Sequence, residues 1–191
     1  MLVYHGLIRF EQRSCSDEGW MGANSNSCYY VSLDVRSWVE SKAACEDLGA
    51  HLVTITGALE MELVIDIAKT KLGQQESATD LMNYFVWMGG ESIHGSLPKT
   101  WSWITGETWD YTHWGADEPD GDLVEYCLGM YPMDAAYPMW VDYMCDNTLL
   151  YICEKDAIKT KVLTAVSITI VFSGSKKLNT VTTVLTDTLP A

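Results

Sequence analysis

The chain has 191 residues, 48% of them hydrophobic and 20% charged, a balance typical of a globular protein with a buried core. Acidic residues outnumber basic ones by 26 to 12, and the formal net charge of -14 repels phosphate backbones and so excludes an ordinary nucleic-acid partner. The longest apolar run, residues 162–172, is shorter than the ~20 residues of a membrane-spanning helix, so we expect no membrane span.

Charge and aromatic content divide the chain near residue 155. The first 153 residues hold 23 acidic and 7 basic residues, whereas the remainder holds 3 acidic and 5 basic residues and no Trp, Tyr or Cys. We therefore predict a domain over residues 15–155, an N-terminal extension over 1–14 and a Thr/Val-rich C-terminal tail over 156–191. The tail has β propensity, but the sequence offers it no obvious partner strand, and we expect it to be poorly ordered.

Two helices are predicted in the first half of the domain. Ser37-Trp38-Val39-Glu40 is a capping box, so the first helix begins there and ends at Gly49. A second helix is predicted from Thr56 to Lys71, followed by a polar loop over residues 74–83. Its core-facing residues are predicted to be Leu59, Leu63, Val64 and Ile67.

Short strands around a long loop are predicted in the second half. The strands are expected at residues 85–88, 101–103, 126–131, 140–143 and 151–154. Residues 104–124 have little apolar content and several glycines, which predicts a loop, while Trp109 and Trp114 indicate that this loop is anchored. Two early helices followed by short strands indicate an α+β domain.

The six cysteines are even in number and none belongs to a CxxC pair, which disfavours a zinc site and favours three disulfides. Six cysteines allow 15 pairings, and their spacing alone does not choose among them. Disulfides imply an oxidising compartment, so we expect a secreted or extracellular protein. Residues 1–10 lack the features of a signal peptide, so we expect the true N-terminus to lie outside this sequence.

Acidic residues crowd one segment of the predicted long loop. Five of them fall within nine residues: Asp117, Glu118, Asp120, Asp122 and Glu125. No Lys or Arg lies between Lys99 and Lys155, so the sequence supplies no cation there. Like charges this close favour a bound metal, and Ca²⁺ prefers carboxylate and carbonyl oxygens. The alternative is a solvated acidic loop.

A series of motifs in and around this segment resembles the long-form C-type lectin-like domain. The matching segments lie in the family's order at residues 15–20, 28–29, 38–53, 87–89, 101–106, 109–114, 118–120, 125–127, 140–142 and 151–154. The resemblance implies a C-type lectin-like fold with two helices, small antiparallel sheets and a long calcium-binding loop. It also implies three disulfides, Cys15–Cys28, Cys45–Cys153 and Cys127–Cys145.

The resemblance further implies a calcium site. In sugar-binding members, Ca²⁺ is held by a Glu-Pro-Asn motif with a typically cis peptide before its proline, a later Glu and an Asn-Asp pair. At the matching positions, the metal and ligand-binding residues are Glu118, Asp120, Glu125 and Asp142. Asp120 and Val141 replace the two asparagines, and because an ionised carboxylate only accepts hydrogen bonds, both amide donors to a sugar are lost. We therefore expect a weakened Ca²⁺ site and impaired monosaccharide recognition.

These observations predict a binding module rather than an enzyme. Its ligand is expected to be a glycan or a protein. Glu118 and Asp120 flank one proline and face one point, so they do not suit the acid and base of a glycosidase. The alternative is a protein-binding or mineral-associated structural domain without sugar binding. A protein-binding module would use Trp101, Trp109, Trp114, Tyr131, Tyr137 and Trp140. Three other tryptophans are predicted to be buried: Trp38, Trp87 and Trp103.

Overall fold

The computed structural model describes residues 2–22, 26–73, 84–93, 99–120, 123–133, 139–173 and 177–186. These residues form two helices and ten strands. They belong to two compact units, one of Cys15–Ala157 and one of Met1–Ser14 with Ile158–Ala191. Within the described residues, neither helix combines the length and apolar character needed to cross a membrane.

Helix α1 (Trp38–Asp47) begins at the predicted capping box. The Glu40 backbone N–H donates to the Ser37 hydroxyl, and the Ser37 backbone N–H donates to Glu40 Oε2 at 3.0 Å. These bonds satisfy two N–H groups that a helix start would otherwise leave without partners. After α1, Gly49 has a φ of +67°, a left-handed conformation that ends a helix and that glycine adopts without strain.

Helix α2 (Ala58–Leu72) packs on the core through one face. Its buried residues are Met61, Val64, Ile65, Ile67, Ala68 and Leu72. The prediction is confirmed for Val64 and Ile67, and Leu63 is partly buried. It is wrong for Leu59, which is 83% exposed, because a residue two positions before Met61 points ~200° around the helix from it. The predicted loop over residues 74–83 lies outside the described residues.

The strands of the Cys15–Ala157 unit form one seven-stranded sheet. Five run side by side in the spatial order β2 (Ser27–Val31), β8 (Leu150–Asp156), β4 (Val86–Ser92), β6 (Cys127–Tyr131) and β7 (Met139–Tyr143). Two short strands join at the side, β3 (His51–Leu52) on β8 and β5 (Trp101–Trp103) on β4. The pairs are antiparallel except β4 with β8, which are parallel. The predicted α+β class is confirmed, while strands β2 and β3 were not predicted.

The second unit is a three-stranded antiparallel sheet. Strand β9 (Ile158–Ser173) lies between β1 (Leu2–Ser14) and β10 (Lys177–Thr186). The structure differs here from the expected poorly ordered tail, because the β-prone run finds a partner in the N-terminal segment, distant in sequence. Local propensity indicates a strand but does not identify its partner.

Buried tryptophans connect α1 to the central strands. Trp38, Trp87 and Trp103 are buried as predicted. The Trp38 indole N–H donates to the Met88 carbonyl at 2.8 Å, and that of Trp87 donates to the Arg36 carbonyl at 2.9 Å. The rings of Trp38 and Trp87 therefore contribute apolar burial while their polar N–H groups remain satisfied. The indole N–H of Trp103 is buried without a hydrogen-bond partner among the described residues.

Three disulfides hold the Cys15–Ala157 unit together, and their pairing is the one that the family resemblance implies. They join Cys15 to Cys28, Cys45 to Cys153 and Cys127 to Cys145. The second links α1 to β8 across 108 residues of sequence. The third links the start of β6 to the turn after β7.

We predict that the long-range disulfide contributes most to stability. In the chain-entropy model a closed loop of ~100 residues is worth about 4–5 kcal/mol, against about 3 kcal/mol for a loop of ~15 residues. Replacing Cys45 and Cys153 with alanine should therefore lower Tm by roughly 10–20 °C, measured by circular dichroism. The paired replacement of Cys15 and Cys28 is the control, and an equal or larger loss there would contradict the prediction.

Candidate functional site

The acidic loop turns sharply where two of the predicted ligands lie. The Glu118–Pro119 peptide is cis, as the family resemblance implies, and Asp117 has a φ of +66°. The Glu118 backbone N–H donates to the Gly115 carbonyl at 3.2 Å, which closes the turn. Glu118 and Asp120 therefore project from one tight turn rather than from an extended segment.

Aromatic rings and main-chain hydrogen bonds fasten this loop to β7. The Trp109 ring centroid lies 4.5 Å from that of Trp103, and the Trp114 ring meets Trp140 edge-on at 6.0 Å. The backbone N–H of Trp140 donates to the His113 carbonyl at 2.8 Å, and the backbone N–H of Gly115 donates to the Trp140 carbonyl at 2.9 Å. The loop is thus attached to β7 at Trp140, two residues before Asp142 on the same strand.

This arrangement changes which aromatics could contact a ligand. Trp101 and Trp140 are buried, so they are not available as surface contacts. Trp109 and Trp114 are partly buried against the core, and Tyr131 is half-buried. Tyr137 lies outside the described residues. The tryptophans of the loop act mainly as anchors, because burying their large apolar area stabilises the loop.

Three of the four predicted ligands converge. One carboxylate oxygen from each of Asp120, Glu125 and Asp142 lies within 4.8 Å of the other two. The Asp120 backbone N–H also donates to Asp142 Oδ1 at 3.3 Å. Exposure differs across the group, since Asp120 is exposed, Glu125 is half-buried and Asp142 is buried. Asp122 lies outside the described residues.

Glu118 joins the cluster through Asp142. The two side chains share a hydrogen bond, and burial, that bond and the charges of the three other carboxylates raise the pKa of Glu118 to about 7. A protonated Glu118 can donate to the Asp142 carboxylate, which relieves the repulsion between them. Burial and then the charges of Glu125 and Glu118 also raise the pKa of Tyr143. Glu118 therefore belongs to the same cluster as Asp120, Glu125 and Asp142.

The structure corrects the expectation that no basic residue serves this cluster. The Lys99 ammonium forms an ion pair with Asp142 Oδ2, and only 5% of the lysine side chain and 0% of the aspartate side chain are exposed. Lys99 lies two residues before β5, outside the loop, so a search of the loop alone misses it. Its position just before a long stretch without Lys or Arg was the available sequence signal.

Val141 does not contribute to the cluster. It is buried, and its Cγ2 lies close to Gly129 on the neighbouring strand β6. Successive residues of a strand point to opposite faces, so Val141 faces away from Asp142. The position that supplies a ligand asparagine in sugar-binding members therefore supplies only an apolar contact here.

The donor chemistry suits calcium, although the number of donors is small. Asp120, Glu125 and Asp142, with Glu118 beside them, offer the hard oxygens that Ca²⁺ prefers. Ca²⁺ takes about 6–8 oxygen ligands, so paired oxygens from single carboxylates or water would have to complete the shell. The Lys99 ammonium already occupies one oxygen of Asp142.

We predict a pH-dependent stability that originates at Glu118. Its pKa of about 7 in the fold exceeds the ordinary value of 4.5, so its stabilising contribution is fully present below pH ~4.5 and is lost as the pH rises through ~7. In EDTA, Glu118→Gln should gain Tm relative to the unmodified protein between pH ~5 and pH ~8. Glu46→Gln, at an exposed position of α1, is the matched control. Identical pH profiles for Glu118→Gln and the unmodified protein would contradict the prediction.

Comparisons with known proteins agree with this fold. The family model for the lectin C-type domain matches residues 34–155. Perlucin from Haliotis laevigata is 30% identical over 136 residues, which cover 71% of this chain and 80% of perlucin.

Two solved structures illustrate the range of the fold. A calcium-independent type II antifreeze protein aligns with a TM-score of 0.60 and 27% identity, covering 76% of this chain and 97% of that protein. The carbohydrate-recognition domain of the mouse scavenger receptor C-type lectin aligns with a TM-score of 0.57 and 29% identity, covering 74% and 96%. The family match, the fold and the three disulfides lead to one conclusion: this chain belongs to the C-type lectin domain family.

Proposed function

We propose that the chain is a secreted binding module with a weak calcium site in its long loop and without the usual monosaccharide recognition of its family. Its role is binding a glycan or protein ligand, not catalysis. Three disulfides in one unit support an extracellular location, because disulfides persist in oxidising compartments.

One observation carries the calcium part of this proposal, the convergence of the Asp120, Glu125 and Asp142 oxygens within 4.8 Å. Like charges held this close are unfavourable without a cation, and carboxylates are preferred ligands of Ca²⁺. The site is weak because Val141 supplies no oxygen and Lys99 already neutralises part of the charge. Extracellular calcium modules with dissociation constants of about 10⁻⁴–10⁻³ M provide the expected range.

The loss of amide donors supports the second part of the proposal. A sugar hydroxyl bound to Ca²⁺ needs both acceptors and donors around it, and Asp120 and Val141 supply no side-chain N–H. Two lost hydrogen bonds, at about 0.5–1.5 kcal/mol each, are a large loss for a shallow site. The carbohydrate-recognition domain of the mouse scavenger receptor C-type lectin is similar in fold, but fold similarity alone does not transfer ligand specificity.

A protein-binding or mineral-associated structural role without sugar is the second candidate. Leu123 and Val124 are 48% and 50% exposed. In the sequence they lie between two acidic residues of the cluster, Asp120 and Glu125. An apolar pair beside carboxylates suits a ligand with both basic and apolar groups, as a protein surface has. The similarity to a calcium-independent antifreeze protein favours a role that does not require the ion.

Calcium titration tests the first part. We expect isothermal titration calorimetry to give a dissociation constant of about 10⁻⁴–10⁻³ M. Asp142→Asn should weaken binding at least tenfold, because it removes the charge of the most buried ligand. Glu46→Gln, remote in sequence and exposed, should leave it unchanged. Absence of both heat and thermal stabilisation at millimolar Ca²⁺ would rule out a calcium site.

A glycan array tests the second part. With Ca²⁺ at several times its dissociation constant, we expect no retention on mannose or galactose that EDTA reverses, because the amide donors are missing. The mouse scavenger receptor domain, run in parallel, shows that the array can detect binding by this fold. Strong Ca²⁺-dependent retention, competed by free monosaccharide, would show that the site remains a conventional lectin site.

A further inference from the structure

The ion pair between Lys99 and Asp142 is unusual in its burial. Only 5% of the lysine side chain and none of the aspartate side chain is exposed, so the pair is almost completely removed from water. A buried carboxylate is expensive unless it is paired with a charge and hydrogen-bonded. In the absence of a metal, Lys99 supplies that charge to Asp142, and the Asp120 N–H supplies a hydrogen bond to its other oxygen.

Both oxygens of Asp142 therefore accept hydrogen bonds when no metal is bound. Oδ2 accepts from Lys99, while Oδ1 accepts from the Asp120 N–H at 3.3 Å. The Glu118 side chain also hydrogen-bonds to Asp142. A carboxylate has about four lone-pair sites, so these hydrogen bonds alone do not block a metal. A cation bound to Oδ2 would, however, lie next to the Lys99 ammonium, and the repulsion between the two positive charges favours displacement of the lysine. The displaced ammonium would then have to find another partner or water.

From this geometry we infer that Lys99 is a tethered competitor of calcium, a built-in cation that neutralises Asp142 and sets the calcium affinity of the site. The inference rests on the proposed calcium site and identifies the residue that weakens it. Lys99 touches a predicted ligand, so it acts on the ion through Asp142 rather than as a ligand itself.

The competition follows from simple linkage. If Asp142 can bind Ca²⁺ only when Lys99 has left it, the apparent affinity falls by the fraction of molecules in which Lys99 is displaced. The Lys99 ammonium and Ca²⁺ compete for the same oxygen of Asp142, because each is a cation that binds to its lone pairs. Lys99 is held covalently near Asp142, so its local concentration does not fall on dilution.

The test is calcium titration of Lys99→Met, which keeps the length and apolar volume of the side chain and removes its charge. We expect the dissociation constant for Ca²⁺ to fall at least tenfold relative to the unmodified protein, and the rise in Tm on adding Ca²⁺ to become larger. Lys159→Met is the matched control, because it removes the same charge from an exposed position in the other unit. It should leave both quantities unchanged.

Two more variants keep the test decisive if the buried methionine disturbs folding. Lys99→Gln retains a hydrogen-bond donor but no charge, and it should also tighten Ca²⁺ binding. Lys99→Arg retains the charge and should bind Ca²⁺ no more tightly than the unmodified protein. An equal gain in Lys99→Arg and Lys99→Met would overturn the inference, because charge would not be the cause.

The outcomes separate this inference from the proposed calcium site. Tight binding by Lys99→Met with no detectable binding by the unmodified protein supports the competitor and rejects native calcium binding. Equal affinities in the two proteins overturn the competitor and retain the calcium site. No binding by either protein overturns both.

Discussion

The carboxylate of Asp142, completely buried within β7, sets the requirements for the whole loop around it. Water cannot solvate its charge, so a positively charged side chain or a bound cation must compensate for that charge. Removing one partner of a buried ion pair is destabilising by about 3–5 kcal/mol, whereas a complete pair contributes little on balance. Lys99 therefore allows the fold to exist without a metal. It need not make that fold more stable than an apolar substitute would.

The position of Asp142 depends in turn on a disulfide and on aromatic packing. The Cys127–Cys145 disulfide holds the ends of the β6–β7 hairpin, and the rings of Trp109 and Trp114 attach the loop to the same strand. Interdigitated rings have few alternative arrangements of equal energy, so the acidic turn is presented by a packed support rather than by a free loop. This explains how a segment with little regular structure can bring several like charges together.

Patterns that act locally could be predicted from the sequence. The Ser37–Glu40 capping box correctly marked the start of α1, because the bonds that define it lie within one helical turn. Family resemblance supplied the disulfide pairing, which spacing alone left open. Local patterns failed where partners are distant, since they could not assign β1 to residues 158–173. They also placed Leu59 on the wrong face, because a run of apolar residues does not specify where a helix begins to pack.

The same contrast between local patterns and partners distant in sequence applies to the candidate site. The carboxylates belong to a recognisable motif, so their convergence was predictable. Lys99 was not assigned to them, because it precedes β5 and reaches the cluster only through the three-dimensional path of the chain. If only the charges of the loop residues are counted, the acidic residues have no counter-charge, because Lys99 lies outside the loop. The correction matters for function, since it changes the cluster from an uncompensated one to a partly neutralised one.

The unequal exposure of the cluster has a consequence for its response to ionic strength. An approaching divalent ion meets Asp120 in water, where at physiological ionic strength charges are screened over about 8 Å. The contact between Lys99 and Asp142 is shielded from solvent, so dissolved salt weakens it much less. Raising the salt concentration therefore weakens the attraction for the incoming ion more than the internal contact, and concentrated electrolyte favours the lysine-bound form.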